Sequence, residues 1–322
     1  MLKKISLTQL GIIFVILLGS VFIIEYFFTG TKSSTLQGVE INFDPATVTE
    51  MRMYPRSEKG QQEIRVIKEN NEWKLILPKD KNKKVAADAE KINNAFGELK
   101  KISAERLVSD DESQWNEYQV TDTNGTRVEL MENSKKVLDI IIGKFSFKNQ
   151  REFSTYFRMK SDKRVFITPA FLDMTFNREV NTWRNGKVIN SESDNWKKVS
   201  LEYPDSSFTL TKDKNKWNMS LSMNDSSKTT TYLRDIQHFT TEEFVDDIDA
   251  NSLGKPQYTL TIESSIEPKI EVKAFPHAVH EWLITSSQNP GAVFKSKPTG
   301  AISTLFISPK KLYPAADTTK KN

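Results

Sequence analysis

The chain has 322 residues, 46 Lys and Arg against 42 Asp and Glu, with 27% charged and 10% aromatic residues, a globular composition. A formal charge of +4 over this length gives no electrostatic case for nucleic-acid binding. With no cysteine, disulfides, thiolate metal sites, a cysteine nucleophile and an N-terminal lipidated cysteine are all excluded. Beyond an apolar start of about 30 residues, the remaining length suits two domains of about 145 residues each.

That start reads LGIIFVILLGSVFIIEYFF from Leu10 to Phe28, with Glu25 its one charge. As a helix it would rise about 28 Å, close to the thickness of a bilayer's hydrocarbon. Lys3 and Lys4 precede it, while Glu25 and Lys32 cancel after it. The positive-inside rule then places the N-terminus in the cytoplasm and everything beyond Lys32 outside it. A cleaved signal peptide is the rival reading, but the run exceeds the usual apolar core of about 7–15 residues. No Ala-x-Ala-like site follows it either. Residues 1–32 are therefore expected to be a cytoplasmic stub and transmembrane anchor, with 33–47 a linker.

A first repeat is expected over 48–189. Alternation in Glu63–Lys68 and Trp73–Leu77 across Asn70-Asn71 predicts a β-hairpin. Ile92, Phe96 and Leu99 line one face of a helix over Asp88–Ile102. Strands follow near 127–131, 137–142, 155–159 and 164–167, with turns at Asn133-Ser134 and Ser161-Asp162. Thr168-Pro169 opens a junction helix carrying Leu172, Phe176 and Trp183, which Asn185-Gly186 ends.

The second repeat is expected over 190–313, with a helix near Thr230–Phe239. Its strands are expected near 258–262, 270–274, 282–285, 292–295 and 304–307, and the tail 314–322 is expected to be disordered. The two halves share five features in one order. Tyr54-Pro55 matches Tyr203-Pro204, and strand tryptophan Trp73 matches Trp217. The helices match, and Leu107-Val108-Ser109-Asp110 matches Phe244-Val245-Asp246-Asp247. Phe166-Ile167-Thr168-Pro169 matches Phe306-Ile307-Ser308-Pro309 at an offset of 140. The expected fold class is α+β: an N-terminal transmembrane helix followed by two similar, mainly antiparallel sheet-plus-helix repeats.

Trp73, the Tyr118-Gln-Val-Thr-Asp run, Ile141-Ile142-Gly143-Lys144, Tyr156-Phe157-Arg158, Val165-Phe166 and Trp183-Arg184, read with the anchor, form a recognisable pattern. In them the chain resembles a bacterial family of membrane-anchored envelope proteins, classed as a domain of unknown function. Such proteins are often encoded beside gliding-motility-type ABC transporter components. The resemblance covers most of the first half and the second more loosely, where nothing matches Gly143 or Trp183-Arg184. It implies an accessory role beside a transporter and brings no catalytic residues.

Candidate chemistry is sparse. His277-Ala-Val-His280 is the one histidine pair; on a strand its imidazoles would point to opposite faces and could not share a metal ion. Asp247-Ile-Asp249-Ala-Asn251 begins like a calcium loop, but Ser252 stands where glycine is needed and Tyr258 where the bidentate glutamate is needed. Lys79–Lys84 reads as a solvated basic loop. No nucleophile elbow, Walker loop or His-Glu-x-x-His motif occurs. The expectation is a non-enzymatic, cofactor-free and metal-free accessory or scaffold of a membrane transport complex. It would sit in the bacterial inner membrane with its body periplasmic, with the bilayer and integral-membrane transporter subunits as partners. Trp183 and Arg184 are the expected partner-binding residues, since such side chains anchor interfaces. An extracytoplasmic binding protein for a small ligand or polysaccharide is the alternative, followed by a carboxylate-dependent envelope hydrolase.

Overall fold

The computed structural model describes residues 39, 41–57, 60–147 and 153–314. The apolar run Leu10–Phe28 and the tail from 315 lie outside the described residues. Among the described residues, two antiparallel sheets dominate. The first comprises β1 (Glu50–Tyr54), β2 (Ile64–Glu69), β3 (Glu72–Leu77), β4 (Asp80–Ala86), β5 (Arg106–Ser109), β6 (Thr126–Glu132), β7 (Lys135–Phe147), β8 (Phe153–Met159) and β9 (Val165–Thr168). Their spatial order is β4-β3-β2-β1-β6-β7-β8-β9-β5.

The second comprises β10 (Trp196–Tyr203), β11 (Ser206–Asp213), β12 (Lys216–Met219), β13 (Phe244–Val245), β14 (Tyr258–Ser264), β15 (Ile270–His277), β16 (Glu281–Ser286) and β17 (Val293–Ser296). Its order is β12-β11-β10-β14-β15-β16-β17-β13. With β4 set aside, the two orders match strand for strand. Each sheet also has one longer helix before its outlying edge strand, α1 (Ala89–Lys100) in the first and α4 (Ser226–Ile236) in the second.

The α+β expectation is corrected by this architecture. About 41% of the described residues are strand, and the described part of the protein is mainly β. The physical reason is which periodicity buries the core. Met51 and Met53, Val128 and Leu130, Val199 and Leu201, and Leu260 and Ile262 are buried at every second position of their strands. Among the described residues the α-helices besides α1 and α4 are single turns: α2 (Trp115–Tyr118), α3 (Leu172–Phe176) and α5 (Ala301–Leu305). No helix among the described residues is long and apolar enough to cross a membrane. The transmembrane helix of the expected fold therefore has no counterpart among them.

Local chemistry explains the element boundaries. Asn70 and Asn71 have φ of 49° and 66°, and Asn133 and Ser134 have 45° and 74°. Positive φ at both central residues is the turn that matches the twist of a hairpin, and asparagine tolerates it best after glycine. Asp88 Oδ1 accepts the backbone N–H of Glu90 at 3.1 Å and of Lys91 at 3.2 Å, which caps α1. Asp225 does the same for α4 through Lys228 N at 3.0 Å. Ile92, Phe96 and Leu99 are buried on α1, as are Tyr232 and Ile236 on α4.

Three local expectations change. The junction helix is instead the single turn α3 followed by a 3-10 turn at Val180–Trp183. α3 ends at Asn177, whose backbone (φ −84°, ψ 64°) leaves the helix and whose Oδ1 accepts the Arg56 backbone N–H at 3.0 Å. The Phe306-Ile307-Ser308-Pro309 match is not structurally equivalent to Phe166-Ile167-Thr168-Pro169. Phe166 lies in strand β9, whereas Phe306 caps the C-terminus of helix α5, so no strand forms at 304–307. Lys79–Lys84 is not a loop but feeds strand β4, which pairs with β3.

By contact density the chain separates into Met1–Lys68 with Asn93–Arg178, and Glu69–Ile92 with Glu179–Asn322. Backbone hydrogen bonds explain why the hairpin β3–β4 groups with the later residues. Asp88 N donates to Trp183 O and Asn185 N donates to Ala86 O, both at 2.9 Å, around a bridge between Ala87 and Arg184. In the first unit, residues 110–125 cross β7 at Gly143. A Cβ there would meet Tyr118 O at 2.2 Å and the Val120 side chain at 2.6 Å. In the second sheet Phe275 stands in the equivalent register, one residue beyond the partner of the first β14 residue.

Two glycines therefore respond oppositely to one added methyl group. Gly143→Ala is expected to lower stability by about 2 kcal/mol through overpacking against fixed backbone. Gly97→Ala, at a helical position with nothing within 4 Å of its added Cβ, is expected to raise it by about 0.5–1 kcal/mol. Urea denaturation of both variants checks the pair.

Candidate functional site: two buried arginines and the clefts around them

Each unit holds one arginine out of solvent and uses it to fix an irregular segment. In the first unit it is Arg158, 1% exposed, on β8. Its Nε donates to Val120 O at 2.7 Å, and Nη1 reaches the carbonyls of Met159 and Lys160 at 3.4 and 3.2 Å. Nη2 donates to Asp122, which also pairs with Lys160. The guanidinium lies 3.9 Å from the Trp115 ring centroid, and Trp115 Nε1 donates to Lys163 O at 2.9 Å. The Tyr118–Asp122 run, Gly143 and Tyr156-Phe157-Arg158, scattered in the sequence, thus converge on one locked loop. Val120, Ile141 and Val165 form its buried floor, with Tyr118 and Tyr156 packed beside them.

In the second unit Arg184, 4% exposed, plays a comparable part. Its Nη2 and Nη1 donate to the two carboxylate oxygens of Asp246 at 2.8 and 3.1 Å, a bidentate pair. The guanidinium lies 3.6 Å from the Phe244 ring centroid. Lys83 Nζ donates to Asp246 O, while Lys91 and Thr182 meet Glu242. Trp183 is buried as well. Neither of the two expected partner-binding side chains faces solvent. Phe244 and Asp246 were visible in the sequence as a duplicated apolar-acid feature, but nothing there linked them to Arg184, about 60 residues earlier.

A cleft of about 330 Å3 opens beside this pair, lined by Lys74, Lys83, Lys84, Arg184, Asp246 and Asn289 among others. Its cations are already engaged: Lys74 with Glu72, Lys84 with Glu69, Lys83 and Arg184 with Asp246. A second cavity of about 470 Å3 has His280, Glu281, Lys295 and Glu243 on its walls, with Lys295 3.3 Å from Glu243.

The histidine pair departs from the splayed arrangement that strand geometry suggested. His277 ends β15 and His280 sits in the turn before β16, so the rings stack with centroids 5.1 Å apart. His277 Nδ1 accepts the backbone N–H groups of Val279 and His280 at 3.3 and 3.2 Å, which commits that nitrogen to the turn. Among the described residues, no group of three or more metal-ligating side chains assembles. Asp249 accepts the Asn251 N–H at 2.9 Å and caps the 3-10 turn Ala250–Ser252. Trp73 is buried and Trp217 half-buried.

Among the described residues, carboxyl groups displaced from their ordinary proton affinity are all displaced downward. Burial pushes Asp139 up, but its hydrogen bonds and proximity to Arg127 and Lys136 outweigh that and hold it low. Asp122 is held low chiefly by its hydrogen bond to Lys160, with Arg158 adding to the effect. Such carboxylates suit ion pairing, whereas a general acid at neutral pH needs the opposite displacement.

The pattern of one family, described as "Domain of unknown function (DUF4340)", matches residues 78–260. The chain belongs to that family. The matched stretch contains both arginines and the segments they hold. No curated protein and no solved structure matches the chain.

Two outcomes test the arginine assignments. Because the folded affinity of Asp122 lies below its unfolded value, its stabilisation is present above about pH 4 and lost as pH falls through the folded value. Asp122→Asn is therefore expected to cost about 1 kcal/mol at neutral pH, the carboxylate being half-exposed. The gap to the parent should close on acidification, read from urea midpoints across pH 3–7. Asp246→Ala leaves a buried guanidinium without its counter-charge and is expected to cost about 2 kcal/mol. Arg184→Met leaves a carboxylate that solvent already reaches and is expected to cost about half as much. Reversal of that order in thermal unfolding would contradict the assignment.

Proposed function

We propose that this chain is a non-enzymatic accessory of a membrane transport complex in the bacterial envelope, with its β-rich body on the extracytoplasmic side. The observation that carries this reading is how the buried polar groups are spent. Arg158 and Arg184 direct their hydrogen bonds to loops and internal acids rather than into a cleft. A body assembled this way presents a fixed surface, which suits holding a partner better than turning over a substrate. The apolar sequence Leu10–Phe28, preceded by Lys3 and Lys4, supports attachment to the inner membrane in that orientation. The resemblance to envelope proteins encoded beside gliding-motility-type ABC transporter components supports the choice of partner, integral-membrane transporter subunits.

The cleft beside Arg184 favours a second reading, capture of a small extracytoplasmic ligand or polysaccharide. Purification of the tagged chain from native membranes in mild detergent, with identification of copurifying proteins, separates the two. Transporter subunits should copurify stoichiometrically. Recovery of the chain alone with a bound glycan would favour the binding reading, and turnover of an envelope polymer by the pure chain would replace both with an enzyme. A reporter active only outside the cytoplasm, fused after Asn322, should be active; activity of a cytoplasm-only reporter there would reverse the orientation.

A further inference from the structure

The matching strand orders let each unit serve as a standard for the other. Val165-Phe166-Ile167-Thr168 on β9 and Val293-Phe294-Lys295-Ser296 on β17 occupy equivalent places, with the first, second and fourth residues buried in both. Phe166 pairs with Leu107 of the edge strand β5, as Phe294 pairs with Phe244 of β13. Thr168 pairs with Thr155 of β8 and Ser296 with Trp282 of β16, so Phe153 and His280, each two residues earlier, are counterparts. Phe171 and Gly300 are counterparts too, since they are the N-caps of the single-turn helices α3 and α5 that follow β9 and β17.

The two units differ there by one ring. In the first, Phe145, Phe153 and Phe171 form a continuous stack, with centroids 5.7 Å and then 3.8 Å apart. The Phe171 backbone N–H donates to Glu98 Oε2 at 3.0 Å, which helps to hold the third ring in place. In the second, His277 stacks on His280 at 5.1 Å and the stack stops. Gly300 brings no side chain to the third position. The cavity of about 470 Å3 lies here, lined by the turn residues Val279, His280 and Glu281 and by Thr299, Gly300 and Ala301. The glycine suits an open slot, because a Cβ on it would press on Ser296 Oγ at 3.1 Å and Lys297 O at 3.3 Å. Val279, 78% exposed, adds apolar surface to the wall.

Charge decides what an incoming ring can carry. Lys295 and Lys297 stand against Glu243 and Glu281 on the wall, and Lys295 is engaged by Glu243 at 3.3 Å. Glu281 and Lys297 are exposed, and neither has an ion-pair partner among the described residues. One acid and one base therefore remain, which suits a ligand bearing both signs. The volume falls within the range of small-molecule sites, about 300–1,000 Å3. The geometry points to this cavity as a binding site for a small zwitterion with a planar aromatic ring, of the aromatic amino acid class. The ring lies on His280 as Phe171 lies on Phe153, with the ammonium towards Glu281 and the carboxylate towards Lys297. The site is distinct from the cleft beside Arg184 and depends neither on membrane attachment nor on a transporter partner.

A chain with three histidines makes the test direct. The full-length protein in detergent micelles, labelled at imidazole Cε1, gives separate signals for His238, His277 and His280. Saturation with L-tryptophan should move the His280 signal upfield and His277 less, leaving His238 still, because a stacked ring shields the protons beneath it. Calorimetry should find cyclohexylalanine, which keeps both charges and lacks the planar ring, about tenfold weaker than tryptophan. Tryptamine and indole-3-propionate, each with one of the two charges, should also bind more weakly. His280→Phe should keep the affinity within about threefold, whereas His280→Ala should lose about tenfold. Thr299→Trp, which puts a bulky ring into the cavity, should abolish binding; circular dichroism confirms each fold. No saturable shift up to about 10 mM tryptophan overturns the site. Equal affinity for cyclohexylalanine overturns the stacking, and a one-charge analogue as tight as tryptophan overturns the zwitterion. A shift of His238 alone, or affinity untouched by both His280→Ala and Thr299→Trp, puts the ligand elsewhere and overturns the assignment.

Discussion

A guanidinium taken out of water must find acceptors for its N–H groups, and Arg158 and Arg184 impose that demand on the loops around them. Arg158 draws the Val120 carbonyl and the Asp122 carboxylate over β8, which fixes the whole crossing of residues 110–125. Arg184 draws Asp246 and the face of Phe244 to the end of hairpin β3–β4. The strands supply the apolar core; the arginines decide where the connections lie.

The matching strand orders of the two sheets make their differences informative. The second sheet has no counterpart of β4, and Phe275 fills the place where Gly143 admits a loop in the first. The loop after β13 accordingly packs on an apolar group of Val245, Phe275, Leu283 and Val293. A glycine in one unit is thus replaced by an aromatic filler in the other. Space against the sheet is conserved while the chemistry that fills it changes.

The same economy governs the polar groups. Lysines of β4, which as a free basic run would suit an anionic ligand, are tied to Glu69 and to the Asp246 carbonyl. The stacked imidazoles of His277 and His280 serve a hairpin turn. By contrast, Phe147 at the end of β7 is 70% exposed although aromatic side chains have most to gain from burial.

Much of the fold was legible locally. Alternating apolar residues located most strands, the Asn70-Asn71 and Asn133-Ser134 turns followed from asparagine's tolerance of positive φ, and the Ile92, Phe96, Leu99 spacing located α1. The same local reading went wrong where distant residues competed. It extended α3 through Asn177, whose backbone leaves the helix and whose side chain meets distant Arg56, and it splayed two histidines that a turn brings together. It also equated Phe166 and Phe306, whose identical neighbours lie in a strand and at a helix end. The sequence by itself determined the periodicities, the turns and the apolar run Leu10–Phe28, because these depend on residues a few positions apart. Only the tertiary structure decided that Asp122 belongs to Arg158, that Asp246 belongs to Arg184, and that four phenylalanines form one ring cluster. Such pairings depend on which strands become neighbours, and no local pattern encodes that distance.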